Sequence, residues 1–153
     1  MYLKKTTLLF FLFACIGITT EIFFTAIIDT IKSAGTPDFS LRLKGQSYIW
    51  MFPIYGCISF LGPWVIDKIY AFPIFLRALI YSTIILSFEF FAGWLLEKTT
   101  GTCPWKYTEG CHISGFIRLD YSFAWMIFGL FVEQIYLFSS TLLKHLNHEN
   151  KAS

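Results

Sequence analysis

Four long hydrophobic blocks, separated by short polar stretches, make up most of this chain. They cover roughly residues 7–31, 48–69, 73–97 and 121–143. About 20 apolar residues are needed for a helix to cross the hydrocarbon layer of a bilayer. The pattern therefore predicts an all-α polytopic membrane protein, with four transmembrane helices in a compact bundle and a single integral membrane domain over residues 1–153.

The polar parts of the chain are short. Two loops, at residues 32–47 and 98–120, connect the blocks, and a polar tail covers residues 144–153. These segments leave no room for a separate soluble catalytic domain.

The second block carries two prolines, Pro53 and Pro63, with Gly56 and Gly62 nearby. Proline removes a backbone donor and displaces the carbonyl it would have paired with, so we expect this helix to bend or break. One interpretation is a packing kink. The other is a discontinuous helix whose exposed carbonyls face a cation, as in the broken helices of transporters.

Composition agrees with a membrane setting and excludes binding to nucleic acid. Of the residues, 56% are hydrophobic, and the net charge of +2 is too small and too scattered for a phosphate backbone. The partner is then the lipid bilayer. Lys4 and Lys5 also fit the start of a secretory signal peptide. The apolar run continues past residue 20 and carries Glu21, however, so we predict a retained helix. The same lysines favour cytoplasmic termini in the plasma (inner) membrane.

Three glutamates lie in three different hydrophobic blocks, and each has a glycine four residues away. The pairs are Gly17 with Glu21, Glu89 with Gly93, and Gly129 with Glu133. A carboxylate at membrane depth is energetically expensive and marks a functional site. Glycines let a neighbouring helix approach closely. The pattern predicts that the three acids point into the bundle and share one binding site.

The helical rise places these acids at similar depths. Glu21 and Glu89 come out roughly 20–25 Å, and Glu133 roughly 15 Å, from the face that holds the termini. A second, shallower layer toward the 98–120 loop contains Asp29, Glu97, Arg118 and Asp120. We expect a funnel that leads from that loop to the acids.

Three interpretations of the acids stay open. Close together, they could not all ionise, so they would share protons, bind a cation or take a basic partner. Protonated carboxyls could also hydrogen-bond across helices in a purely structural role. Catalysis by a buried Glu as acid or base is the third interpretation. Arg77 is only one turn into the third block, and we expect it at the headgroups.

The 98–120 loop is the most polar segment, and it adds aromatic candidates. Trp105 and Tyr107 suit the membrane interface, and both belong to the predicted binding site with Glu97, Arg118 and Asp120.

Cys103 and Cys111 of the same loop could form a disulfide or remain free thiols. With His112 they offer three metal ligands, in a spacing that matches no tetrahedral zinc pattern. We predict no metal.

The sequence lacks the motifs of several enzyme classes. It contains no G-x-x-x-x-G-K-[ST] phosphate loop, no G-x-S-x-G and no H-E-x-x-H. No His lies inside a hydrophobic block. Catalysis would depend on Glu, Tyr or the loop Cys and His, so the sequence speaks against an enzyme and predicts no cofactor.

The order of several motifs resembles one family over nearly the whole chain. These motifs are Gly17-x-x-x-Glu21-x-x-Phe24-Thr25-Ala26, Trp50 with Ile54-Tyr55-Gly56, Leu76-Arg77 with Ile80-Tyr81, Glu89-Phe90 with Gly93, Cys103-Pro104-Trp105 with Tyr107, then Gly115, Ile117, Leu119, Tyr121 and Trp125, and finally Glu133-Gln134. In them the chain is similar to transmembrane protein 229 and to bacterial proteins of the CmpB type, which are labelled as ABC-transporter permeases. The loop motif is the most specific of the set.

This resemblance implies transport with a separate ATPase subunit. The family pattern has Asp between the Trp and Tyr of the loop motif, and an acid before the later Tyr. Here Lys106 takes the first position, while Asp120 keeps the second. Chemistry that depends on the first Asp is therefore altered or lost in this chain.

We predict a permease-like or carrier component that moves an ion or small solute through a buried carboxylate site. Four helices are few for a complete transporter, so we expect a homo-oligomer or a larger membrane complex. Two other classes stay open. One is a membrane enzyme that acts on a lipid or quinone-like substrate with Glu as acid or base, and the other is a non-catalytic assembly or regulatory subunit.

Overall fold

The structure is a computed structural model that describes residues 2–37 and 39–152, with side chains described over 6–37 and 39–142. Helices dominate it. The elements in chain order are α1 (Tyr2–Ser33), α2 (Met51–Gly56), α3 (Ile58–Ile69), α4 (Ile74–Thr100), β1 (His112–Ile113), β2 (Ile117–Arg118), a 3₁₀ turn (Leu119–Tyr121) and α5 (Ser122–Ala152).

Three segments in the described part of the chain are long and apolar enough to cross a membrane. They are Thr6–Ser33, Ile74–Thr100 and Leu119–Leu142. They correspond to the first, third and fourth hydrophobic blocks, and the mostly helical character of the chain is confirmed.

The predicted count of four spanning helices is not confirmed, because the second block is not among the candidate spans in the described part of the chain. The block is divided at Cys57 into α2 and α3, which have 6 and 12 residues. Neither reaches the length that a span requires. The predicted interruption is present, although it is local: the Cys57 N–H still bonds to the Pro53 carbonyl at 3.0 Å.

The chain forms two compact units, Met1–Leu61 and Gly62–Ser153. In the first unit, α1 packs against α2 through glycines. A side chain at Gly17 would overlap the ring of Tyr55, and one at Gly56 would overlap the ring of Phe10. Because neither glycine carries a Cβ, the two helices approach closely enough to bury Tyr55.

The segment before α2 also lies against α1. Gly45 sits directly on the Ile22 carbonyl, where a Cβ would collide with the backbone. The next residue, Gln46, donates its N–H to the Thr25 hydroxyl at 2.9 Å. Residues 45–47, which belong to no helix or strand, are therefore fixed on the face of α1 that carries Thr25.

In the second unit, the core forms where α5 meets α4. Ile66, Ile69 and Tyr81 are buried together, and partly buried Leu130 and Leu137 of α5 pack against them. Gly129 lies against the Cβ of Tyr81. This glycine–tyrosine contact sets how closely α5 approaches α4.

The segment between α4 and α5 folds back along α4. It begins at Gly101, whose left-handed φ of 81° ends the helix. It contains a short hairpin, β1 paired antiparallel with β2, which the sequence pattern did not predict. Further along, Phe116 stacks edge-on against Phe90 of α4, with ring centres 5.4 Å apart. Finally, the Ser82 hydroxyl donates to the Ser122 carbonyl at 3.0 Å.

Gly129→Ala is expected to destabilise the second unit. The added methyl would overlap the Cβ of Tyr81, which is fixed to the α4 backbone and cannot move aside. Overpacking of this kind costs about 1–3 kcal/mol. The measurement is the free energy of unfolding of the protein in detergent micelles.

Gly93→Ala is the matched control, since it is also a glycine in a spanning helix. Its added methyl would meet Phe116 at 3.1 Å and the Cys103 sulfur at 3.2 Å. We expect a smaller loss there, and equal losses at both glycines would contradict the close α4–α5 contact.

Candidate functional site

Glu133 of α5 is fully buried and bonded to α4. Its Oε2 accepts a hydrogen bond from the Tyr81 hydroxyl at 2.6 Å, and its Oε1 accepts one from the Gln134 amide at 3.3 Å. Arg77 Nε lies 3.3 Å from Oε2 and forms an ion pair with it. Glu133 therefore has a basic partner, one of the outcomes expected for a buried acid.

Arg77 was not among the predicted site residues, although its side chain pairs with Glu133, and its expected place at the headgroups stays a prediction. Its guanidinium also donates to the Tyr70 carbonyl at 2.9 Å, which fixes the turn before α4. The long side chain reaches from the first turn of α4 to a carboxylate on another helix. A usable signal was present, because Arg77 and Tyr81 are four residues apart and so share one helical face.

Glu89 of α4 is buried beside the segment that folds back. The Tyr107 hydroxyl donates to its Oε1 at 3.0 Å. Tyr107 is held in turn by its own N–H, which bonds to the Gly115 carbonyl at 2.8 Å. Two residues predicted for the site, Glu89 and Tyr107, are thus in direct contact.

Glu21 of α1 is partly buried and belongs to the first unit. Its Oε2 accepts a hydrogen bond from the Ser47 hydroxyl at 3.0 Å. The Tyr55 side chain also hydrogen-bonds to it. The acid therefore lies between α1, α2 and the residues that precede α2.

The acids of the second unit do not share one pocket. Glu133 bonds to Tyr81, whereas Glu89 is eight residues further along α4 and bonds to Tyr107. Eight residues of helix correspond to about 12 Å. Each acid has its own hydroxyl partner instead of a neighbouring acid, because a tyrosine fills the space beside each carboxylate.

The predicted outer charges form ion pairs of their own. Glu97 pairs with Lys106, whose ammonium also lies 4.7 Å from the centre of the Phe116 ring. Lys106 thus connects the segment that folds back along α4, residues 101–121 (the fold-back segment), to the last turns of α4. Asp29, by contrast, is exposed on α1.

Arg118 is the centre of a second polar cluster. It pairs with Asp120 and donates to the Tyr121 hydroxyl at 3.0 Å. The hydrogen bond to Asp120 raises the pKa of the Arg118 guanidinium above its ordinary value. The guanidinium also rests on Gly110, where a Cβ would come within 2.7 Å of it.

Trp105 is buried and anchors the hairpin through its indole N–H, which donates to the Phe116 carbonyl at 3.2 Å. Cys103 and Cys111 are both free thiols, the first buried and the second exposed. Among the described residues, no group of three or more His, Cys, Asp or Glu side chains could hold a metal ion. The arrangement presents carboxylates, hydroxyls and guanidinium groups, which bind ions and polar solutes.

Comparison with known proteins then identifies the family. The family described as Putative ABC-transporter type IV, of the CmpB type, matches residues 8–152. The chain belongs to this family. Together with the apolar helices, membership makes it a membrane protein related to transport, as the motif resemblance implied. No solved structure matches the chain.

The Arg77–Glu133 pair is expected to contribute strongly to stability. Arg77→Met and Glu133→Gln should each cost about 3–5 kcal/mol, because either change leaves a buried charge without its partner. The loss of stability in the double variant should be about 0.5–3 kcal/mol smaller than the sum of the two single losses. The measurement is a double-mutant cycle on the unfolding free energy in detergent micelles.

The Glu97–Lys106 pair provides the control cycle. Both side chains are more than a third exposed, so their coupling should not exceed about 1 kcal/mol. Additive losses at Arg77 and Glu133 would rule out a buried ion pair.

The two loop cysteines are expected to differ in reactivity. Burial raises the pKa of the Cys103 thiol above its ordinary value, so the reactive thiolate is scarce at neutral pH. Cys111 is exposed. A water-soluble maleimide should label Cys111 rapidly and Cys103 only after denaturation or at higher pH, as measured by mass spectrometry.

Cys111→Ser should remove the rapid labelling and leave the slow labelling of Cys103 unchanged. Rapid labelling of Cys103 in the folded protein would show that its thiol is not buried against α4.

Proposed function

We propose that this chain is a permease-like component that moves an ion or small solute, and that the fold-back segment 101–121 opens a polar path along α4 to Glu89. The observation that carries the proposal is the bond between Ser82 and Ser122. Ser82 precedes the end of α4 at Thr100 by 18 residues, since 100 − 82 = 18. That distance along a helix is about 27 Å.

This distance along α4 matters because α4 is long and apolar enough to span the membrane. The hydrocarbon layer is about 30 Å thick. A segment that follows α4 over about 27 Å therefore enters the layer as non-helical chain. Such backbone is tolerated at membrane depth only where protein buries it or where it lines a water-filled cavity.

The polar groups along the segment favour a water-filled cavity. Lys106 with Glu97 lies near the end of α4, Arg118 with Asp120 lies on the hairpin side, and Tyr107 reaches Glu89. Asp120 keeps 40% of its side chain exposed. A permeating ion or polar solute would meet charged and hydroxyl groups from the loop to the buried carboxyl.

Glu89 is the residue we assign to binding in this path. It is buried near the middle of α4, where a carboxyl group is retained only at a cost. Glu133 is less suited to the task, because the Arg77 guanidinium already occupies its carboxylate. The tyrosine hydroxyl at Glu89 is neutral and can rotate to admit a ligand.

The energy source would lie in another subunit. The sequence contains no phosphate loop, and the family description refers to ABC transporters. We propose a separate ATPase subunit as the partner, within a homo-oligomer or a larger membrane complex.

The path can be tested by cysteine labelling in native membranes. On a background in which the four cysteines are serine, Asp120→Cys should react with a membrane-impermeant thiosulfonate. Phe123→Cys is the matched control, three residues further on and 72% exposed on an apolar face. We expect it to face lipid and to remain unlabelled. Equal labelling of both positions, or labelling of neither, would contradict a polar path.

The transport role needs a second position. Glu89→Cys should be labelled from both faces of the membrane, because a permease exposes its site to each face in turn. Measurements in right-side-out and inverted vesicles report this directly. Labelling from one face only would indicate a closed pocket and overturn the permease proposal.

A further inference from the structure

Two glycine–glutamate–tyrosine triads in the chain have the same construction. The first consists of Gly17, Glu21 and Tyr55, and the second of Gly129, Glu133 and Tyr81. In each, the glycine lies four residues before the glutamate on a long helix and lies directly against the tyrosine of another helix. That tyrosine then bonds to the glutamate through its side chain.

The two triads differ in the charge that faces the acid. In the second, Arg77 stands four residues before Tyr81 and forms an ion pair with Glu133. In the first, the residue four positions before Tyr55 is Met51, which is buried and uncharged. Glu21 belongs to none of the ion pairs formed within the described residues.

The groups around Glu21 are oxygens. Ser47 bonds to the carboxylate at 3.0 Å and Tyr55 adds its hydroxyl. One turn further on, the Thr25 hydroxyl lies 3.1 Å from the Gln46 carbonyl oxygen. Gly45 makes this arrangement possible, because only a residue without Cβ can sit on the Ile22 carbonyl. The residues before α2 are thereby held against α1 at the level of the acid.

We propose that the oxygen atoms around Glu21 bind a monovalent metal cation, sodium or potassium, which takes the place that the Arg77 guanidinium has in the second triad. Hard cations prefer oxygen ligands such as carboxylates and carbonyls, and backbone carbonyls outside regular helix coordinate sodium in transporters. A single carboxylate balances one positive charge. The Ser47 and Tyr55 hydroxyls would turn their protons away from Glu21 and present lone pairs to the ion.

This site is separate from the path proposed at Glu89. It lies in the first unit, and none of the groups proposed to bind the cation belongs to α4 or α5. Cation binding at Glu21 and labelling at Glu89→Cys are therefore independent measurements, and either proposal can fail while the other stands.

The test is thermal unfolding of the full chain in lipid nanodiscs, in sodium, potassium or choline chloride at equal ionic strength. A cation at about 100 times its Kd should raise the unfolding midpoint by roughly 5–10 °C over choline. Glu21→Gln should abolish the difference, and Glu109→Gln, an exposed loop acid, should keep it. Equal midpoints in all three salts would overturn the proposal, as would a full cation effect in Glu21→Gln.

Two further variants keep the test decisive if Glu21→Gln fails to fold. Ser47→Ala removes one ligand and should weaken the apparent cation affinity about 10-fold while the carboxylate remains. Met51→Arg would supply a tethered cation from the position that Arg77 has in the second triad. It should make the midpoint independent of the salt, and an undiminished cation effect in both variants would refute the site.

Discussion

The contact between a glycine and a tyrosine on facing helices is the constraint on which both units depend. At Gly17 with Tyr55, and again at Gly129 with Tyr81, the absence of a Cβ lets an aromatic ring reach between helices. The ring buries apolar area and delivers a hydroxyl to an acid one turn away. The same tyrosine side chain thus packs between the helices and donates the hydrogen bond to the acid. Without the close approach, the tyrosine could not reach the carboxylate, and the acid would face lipid.

Burial of the acids follows from these contacts. Glu133 reaches full burial because Tyr81 and Arg77 satisfy its oxygens, whereas Glu21 stays partly exposed beside Ser47 and Tyr55. A carboxylate in a low-dielectric environment needs donors or a cation. The most deeply buried of the three acids, Glu133, is the one that has a cationic partner. Glu21, Glu89 and Glu133 are thus hydroxyl-bonded carboxyls that each have their own neighbours.

Much of the fold could be predicted from the sequence, because its signals are local. Long apolar blocks predict helices α1, α4 and α5, and Pro53 with its neighbours predicts the interruption of the second block at Cys57, whereas Pro63 lies inside α3. The glycines four residues from Glu21 and Glu133 lie at close helix contacts, whereas the one four residues from Glu89, Gly93, faces the non-helical segment instead. The hairpin at 112–118 escaped notice, because two-residue strands leave no alternating pattern in the sequence.

The partners of the acids could not be predicted in the same way. Which tyrosine meets which glutamate depends on contacts between distant elements, such as Tyr81 with Glu133 across 52 positions. Aromatic residues are so frequent in this chain that the sequence alone does not distinguish the few tyrosines that bond to acids. Arg77 escaped for a related reason, since depth along the helix does not reveal how far a flexible guanidinium extends.

The pairing of Lys106 with Glu97 has a consequence for the relatives of this protein. Lys106 holds the returning segment to α4 through a carboxylate, so an acid at position 106 would face Glu97 with like charge and push the segment away. In a relative with aspartate there, a neutral or basic residue opposite it would be favoured by up to about 1 kcal/mol. The two positions should therefore covary, and a reversal of charge at one should accompany a compensating change at the other.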